Sequence, residues 1–326
     1  MIYKIIIFLS PLLLYSDSFT VASYNVQNLF DMKFDGREYE QFIPNKHNWT
    51  KKILDIKLNN ISDVICDLNA DIIGLQEVEN KNAFRLLKHR LKRVGCEYKY
   101  SAITHNQKSS IQLSLLSKYP LIDIKELKSS IDTDRYILQA TALINNHKLI
   151  LFINHWKAKS RGGVESRRVS YAKTLVKNLP KNGEYIILGD FNTKYNEFLN
   201  INKKYDDTNG VIALNHILKT VDKNQLITKN SIKYGFYYNL WLEVPIYHRW
   251  SVNFYGHKGA IDSIILPYTL LDKKDIDYVD KSFRVFKPNY LFTKEHWMNR
   301  WQYKNKKHQG KGYSDHFPIY AKFTFF

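Results

Sequence analysis

Residues 19–26, FTVASYNV, alternate apolar with small or polar side chains and end on polar groups. That period of two predicts a strand delivering Asn25 at its tip. A polar loop dotted with aromatics follows, from Gln27 to about Thr50; connections of that length are expected to be functional, mobile or both. Helical spacing then takes over in KKILDIKLNNISDVICDL, where Ile53, Ile56, Leu58, Ile61, Val64, Ile65 and Leu68 form one apolar stripe. DIIGLQEV reads as a strand finishing on Gln76 and Glu77, and NAFRLLKHRLKRVG as a helix stopped by Gly95, in the position glycine favours after a helix. Strand, helix, strand, helix is the mark of an α/β layer.

The middle of the chain changes character. EYKYSAIT, SIQLSLLSKYPL, RYILQATALI and KLILFINHW are successive strand-like runs with short polar turns, for which antiparallel pairing is the simplest expectation. A third helix, SRRVSYAKTLVKNL, leads into the buried run EYIILGDFN, and GAIDSIILP and HFPIYAKFTFF supply two late strands. The second half repeats the first in outline. Two packed mixed sheets with helices on their outer faces therefore fit better than one doubly wound sheet, and no linker or repeat divides the chain.

Where apolar strands run out, chemistry-bearing residues recur. Asn25 follows VASY, Glu77 follows IIGLQ, His155 follows LFIN, Asp190 and Asn192 follow IILG, Asp262 lies within GAIDSIIL, and Asp315 and His316 precede the last strand. Any one of these is an ordinary solvated strand end. Together, at places where packed sheets could bring strand ends to one rim, they point to a reaction. Hydrolysis of a phosphodiester needs its oxygens neutralised, water activated and the leaving oxygen supported. Glu77 and Asn25 suit a hard divalent cation, Asp190 suits water activation, and His316 suits a charged donor to phosphate if Asp262 holds its tautomer.

Composition adds a partner. The 326 residues carry a formal net charge of +18, which suggests nucleic acid or an anionic membrane surface, although a bias toward Lys, Asn, Ile and Tyr could produce the same excess. The start, MIYKIIIFLSPLLLYSDS, has an early Lys, an apolar run and small residues at cleavage spacing. Residues 1–18 are thus expected to be a signal peptide, 19–326 a catalytic domain, and the product secreted or periplasmic with no stable membrane anchor. Export would permit a disulfide, but Cys66 lies on an apolar helix face and reads equally as a small core residue, so a Cys66–Cys96 bridge is weakly disfavoured.

The motifs SYNVQNLF, GLQEVEN, NHWKAKSRGG, LGDFN, IDSIIL and SDHFPIY, in this order, resemble the endonuclease/exonuclease/phosphatase superfamily over essentially the mature chain, closest to secreted or extracytoplasmic bacterial nuclease-like members. The resemblance implies a four-layer α/β sandwich and magnesium-dependent attack of water on a phosphate ester, with Mn2+ or Ca2+ as alternatives. It implies Glu77 as main metal ligand with Asn25 beside it and Asp315 as a second metal-proximal carboxylate. Asp190 becomes the base, Asn192 a phosphate contact, Asp262 the partner of His316, and His155 a catalytic histidine of deoxyribonuclease-like members. Lys157, Lys159, Arg161 and Arg168 would then face phosphates. Two departures are rich in aromatics: 234–258, expected mostly in the core, and 281–311, where Trp297, Trp301 and Tyr303 interleave with basic residues as stacking platforms for unwound or single-stranded nucleic acid.

The expected function is a monomeric, metal-dependent DNA endonuclease. A lipid phosphodiesterase or phosphatase of the same fold is the alternative, with LWLEVPIYHRW as its membrane-docking loop, and a non-catalytic binding protein is a third class.

Overall fold

The computed structural model describes residues 18–129, 135–159 and 164–326; the expected signal segment up to Asp17, and Arg161, lie outside the described residues. The strands Ser18–Leu29 (β1), Ile72–Val78 (β2), Tyr100–Ile103 (β3) and Gln112–Ser117 (β4) build one sheet with the late strands Ile276–Tyr278, Arg284–Val285 and Ile319–Phe325. In it β1 lies between Ile319–Phe325, antiparallel, and β2, parallel. The second sheet contains Leu121–Leu127 (β5), Ile137–Ile144 (β6), His147–His155 (β7), Glu184–Asp190 (β8), Asp262–Leu266 and Tyr238–Asn239. Here β7 and β8 form the central parallel pair. The expected antiparallel middle is present as β3–β4 and β5–β6–β7, but the chain changes sheets between β4 and β5.

The sheets pack face to face because each presents an apolar side. Val21, Ile72, Leu115, Ile319 and Phe323 from the first meet Leu138, Leu151, Ile153, Leu188 and Ile264 from the second, all buried. The outer face of the first sheet is covered by Lys51–Leu68 (α1) and Lys81–Arg93 (α2), the outer face of the second by Glu165–Asn178 (α3). Four layers result. Thr50 caps α1 by accepting from the Ile53 N–H, and Asn80 caps α2 by accepting from Asn82 and Ala83. None of the helices among the described residues is long and apolar enough to cross a membrane.

Three expectations need correction. Cys66 and Cys96 are joined, with Cα atoms 5.6 Å apart. Leu91 ends its helix facing the core and the chain reverses at Gly95, which returns Cys96 to α1. The loop after β1 is not a loose excursion: Phe30, Phe42 and Trp49 are buried together, and the loop is tied to the 301–308 segment through the His47 carbonyl and the His308 N–H. Region 234–258 divides, since Tyr237, Tyr238, Leu240 and Trp241 are core while Ile246, Tyr247, Phe254 and Tyr255 are exposed.

Candidate active site

The two sheets deliver their polar strand ends to one rim. Asn25 lies where β1 stops pairing regularly with β2, and Glu77 lies where β2 slips against β4. Glu77 takes a left-handed backbone, φ 68°, as do Gln27 and Asn28. A non-glycine residue held there is strained, and such strain persists where surrounding structure over-determines it, often at functional positions. On the second sheet, Gly189 has φ 139°, and a Cβ on it would come within 2.0 Å of the Asn154 carbonyl oxygen. Only glycine allows β8 to lie this close to β7 and carry Asp190 to the rim beside His155, its register partner.

Asn25 joins the halves. Its Nδ2 donates to Glu77 Oε1 at 3.0 Å and to Asp190 Oδ2 at 3.2 Å, while its Oδ1 accepts from the Gln27 N–H. Asp190 Oδ2 is the meeting point: His155 Nε2 lies 3.5 Å from it and His316 Nε2 3.8 Å, with Glu77 Oε1 3.7 Å from His155 Nε2. His316 Nδ1 bonds both Asp262 oxygens, at 3.0 and 2.9 Å. Asp262 in turn accepts from Ser251 Oγ at 2.5 Å. Asp262 and Asp190 are register partners on adjacent strands, which is why the pair arrives together.

The loop preceding the last strand is anchored from behind. Ser314 Oγ donates to the Asn25 carbonyl, Asn60 Nδ2 to the Gly312 carbonyl, and the buried Lys57 Nζ to the Tyr313 carbonyl. Gly312, at φ 85°, could carry no Cβ without striking the Arg300 carbonyl. These contacts set Asp315, partly exposed, beside the Glu77 side of the rim, where its charge acts on Glu77, Lys57 and His316.

The electrostatics follow from burial. Desolvation raises Glu77, and Asp315 raises it further. Asp190 is pushed up to about 7, first by burial, with His316 opposing and Asp262 adding. Burial works against charge on His316, yet the surrounding carboxylates Asp262, Asp190 and Asp315 outweigh it and hold this imidazole well above its ordinary range. His155 goes the other way. Burial, then the positive Arg135, His316 and Lys157, lowers it and favours the neutral imidazole. Lys57 is lowered to about 7, again chiefly by burial, with Asp315 and Glu77 resisting.

Six expected residues, Asn25, Glu77, His155, Asp190, Asp262 and His316, thus converge. Asn192 is adjacent, but not by simple strand alternation. It too is left-handed, φ 50°, and its N–H donates to Asp190 Oδ1 while its Nδ2 donates to the Trp156 carbonyl. The expected phosphate-facing cations fare differently. Arg168 is fully buried, paired with Glu165 at 2.7 Å and bonded to the Lys157 carbonyl, so it braces α3 against the loop and does not face solvent. Lys159 is paired with Glu197 at 2.6 Å; Lys157 is half-buried. Trp301 is buried, its Nε1 donating to His308 Nδ1, and is no stacking platform. Sequence reasoning missed Ser251, Ser314 and Lys57. Ser251 follows no pattern, Ser314 stands in the SDHFPIY motif with no role assigned to it, and Lys57, between Ile56 and Leu58, reads as an ordinary solvated residue on a helix.

Comparison with known proteins bears on this geometry. The sequence matches the Endonuclease/Exonuclease/phosphatase family over residues 20–324, and the chain belongs to that family. No curated protein matches the sequence. Among solved structures it is similar to a humanized D. rerio TDP2, at 15% identity and TM-score 0.57, over 94% of this chain and 99% of that one. An AP endonuclease from Archaeoglobus fulgidus gives 15% identity and TM-score 0.56 over 93% and 98% of the two chains. D. rerio TDP2 complexed with single strand DNA product gives 13% and 0.54 over 94% and 99%. At these identities the likeness is one of fold.

Proposed function

We propose that this chain is a divalent-metal-dependent phosphodiesterase that cuts nucleic acid internally, with DNA as its first substrate, and that it works outside the cytoplasm. The observation that carries the reading is the convergence of Asn25, Glu77, His155, Asp190 and His316 from separate strand ends within hydrogen-bonding or ion-pair distance. The family includes such enzymes, one similar structure was solved with single strand DNA product, and the net charge of +18 favours a polyanion. The Cys66–Cys96 bridge supports an oxidising location.

The donor set fits a hard cation. Glu77 and Asp315, both partly exposed, are oxygen donors whose negative charges oppose each other, an arrangement that a divalent ion relieves. Glu77 and Asp315 would hold it, with Asn25 orienting Glu77. When bound, such an ion neutralises phosphate oxygens and supports the leaving oxygen. The chain's own residues supply the rest. Asp190, once ionised, accepts the proton of the attacking water through Oδ2, the atom toward which both histidines converge. His316, kept charged by Asp262, donates to a phosphate oxygen, and the Ser251–Asp262 hydrogen bond fixes that carboxylate. Neutral His155 holds its ring between Glu77 and Asp190, and Asn192 has a second amide N–H to offer the phosphate.

A lipid substrate is less favoured, because Leu240 and Trp241 of the expected docking loop are core residues and, of its large hydrophobic side chains, only Ile246 and Tyr247 stand exposed. The test is plasmid nicking in magnesium, with and without chelator, beside headgroup release from sphingomyelin and phosphoinositide vesicles. Nicking that chelator abolishes, without lipid turnover, is the expected result; lipid turnover without nicking overturns it.

A further inference from the structure

The two aromatic, basic segments that depart from the family pattern meet beside the site. A hairpin formed by Val252–Phe254 and His257–Gly259 begins at the rim itself. Val252 forms a β-bridge with His316, the Ser251 carbonyl accepts from the Phe317 N–H, and Ser251 Oγ holds Asp262. The hairpin tip carries Phe254 and Tyr255, 60% and 76% exposed, edge to face with ring centroids 4.6 Å apart. Opposite stand Trp297, 59% exposed, and Arg300, whose guanidinium lies 5.2 Å from the Tyr255 ring centre. Between them is a hollow of about 380 Å³ lined by Asn253, Tyr255, Gly256, Trp297, Met298 and Arg300.

Large aromatics left in water beside a functional rim mark a binding surface. Here they come with cations. Residues 281–311 hold nine lysines and arginines against one acid, Glu295, and Lys258 is exposed on the hairpin. We infer that this hollow is a stacking subsite for an unpaired nucleobase of the strand whose phosphate occupies the Asp190–His316 site, an assignment that rests on the nucleic-acid reading above. Ring faces and a guanidinium plane accept any base, and neighbouring cations hold its backbone. From Val252 to Tyr255 the hairpin advances about 10 Å at ~3.3 Å per residue. That is about three nucleotides at the ~3.4 Å axial rise of B-form, and fewer in a stretched strand. The stacked base thus lies one to three nucleotides from the cut. It must be unpaired, because a base inside a duplex has both faces covered. A lipid surface suits the hollow less well, since Arg300 and Asn253 would be carried into it.

The test separates the subsite from the function it rests on. In Asp190→Asn protein, which removes turnover, a single-stranded oligonucleotide whose cut position the wild type has defined is titrated by fluorescence anisotropy. Adding Tyr255→Ala and Trp297→Ala should weaken binding about tenfold or more, and Tyr255→Phe with Trp297→Phe should restore it. An abasic nucleotide one to three positions from the cut should cost the parent a similar factor and the alanine variant almost nothing. Equal binding by parent and alanine variant overturns the subsite and leaves the nuclease standing. If the wild type cuts no nucleic acid and the parent binds none, the functional reading itself falls. Loss of retention on phosphatidylserine vesicles, with oligonucleotide binding intact, would make this face a membrane dock and overturn the stacking assignment.

Discussion

The rims of the two sheets meet at one site but differ in kind. The first contributes Asn25 and Glu77, with Asp315 from the loop before its last strand: oxygen donors and net negative charge. The second contributes His155, Asp190 and Asp262, facing His316: acid/base groups whose proton affinities are driven apart, Asp190 up to about 7, His155 down and His316 up. In the reading proposed above, the ion belongs to the first rim and the water's proton goes to Asp190 on the second, while His316 shares the first sheet's last loop with Asp315; the Asn25 amide is bonded to both rims. Substitutions on the two sides should fail differently.

The largest expected effect is on the second rim. Asp190→Asn should slow plasmid nicking by about a hundredfold or more, while Mn2+ affinity, measured calorimetrically, changes only a few-fold. Equal losses in both would erase the division. On the first rim, Glu77→Gln should weaken Mn2+ binding at least tenfold, given that even outer partners of metal ligands cost on the order of 10–100-fold, and raising the ion concentration should recover part of the nicking rate.

Asp262→Asn sharpens the comparison through pH. His316 is raised chiefly by Asp262 once burial is overcome, so the variant's imidazole should lose its proton at lower pH. The alkaline limb of the nicking rate should move toward neutrality, with about a tenfold loss at pH 8; an unmoved limb would detach His316 from the step. The smallest effect concerns Asp190 in the ion-free protein. Its folded pKa of about 7 stands above its ordinary value of 3.8, so the native state holds a proton that the unfolded chain releases. The contribution is a stability present in acid and lost as pH rises between those values. Thermal unfolding without metal should show that decline, and Asp190→Asn should flatten it.

Much of the site was legible because strand ends are legible. An apolar run that stops at Glu77 or Asp190 states where its polar residue will stand, and packed sheets have few rims on which to gather such ends. Side-chain direction is less visible. Arg168 was expected to meet phosphate, yet it lies on the inward face of α3 beside Glu165, and about half a helical turn separates those fates. Trp301 and Trp297 share a segment and a residue type; which one faces solvent depends on the 30–50 loop, whose Trp49 packs over Trp301 from about 250 residues away. Lys57 was invisible for the opposite reason, since a lysine within an apolar stripe reads as an exposed spacer until the Tyr313 carbonyl is found above it. The bridge between Cys66 and Cys96 depended on how tightly the chain turns at Gly95.

The division of labour between the rims is tested most directly by pairing Mn2+ calorimetry with plasmid nicking on Asp190→Asn and Glu77→Gln side by side. The account predicts that both variants nick at a small fraction of the wild-type rate and that only Glu77→Gln loses the ion. Asp190→Asn protein that nicks like the wild type, or wild-type nicking indifferent to chelator, would contradict it.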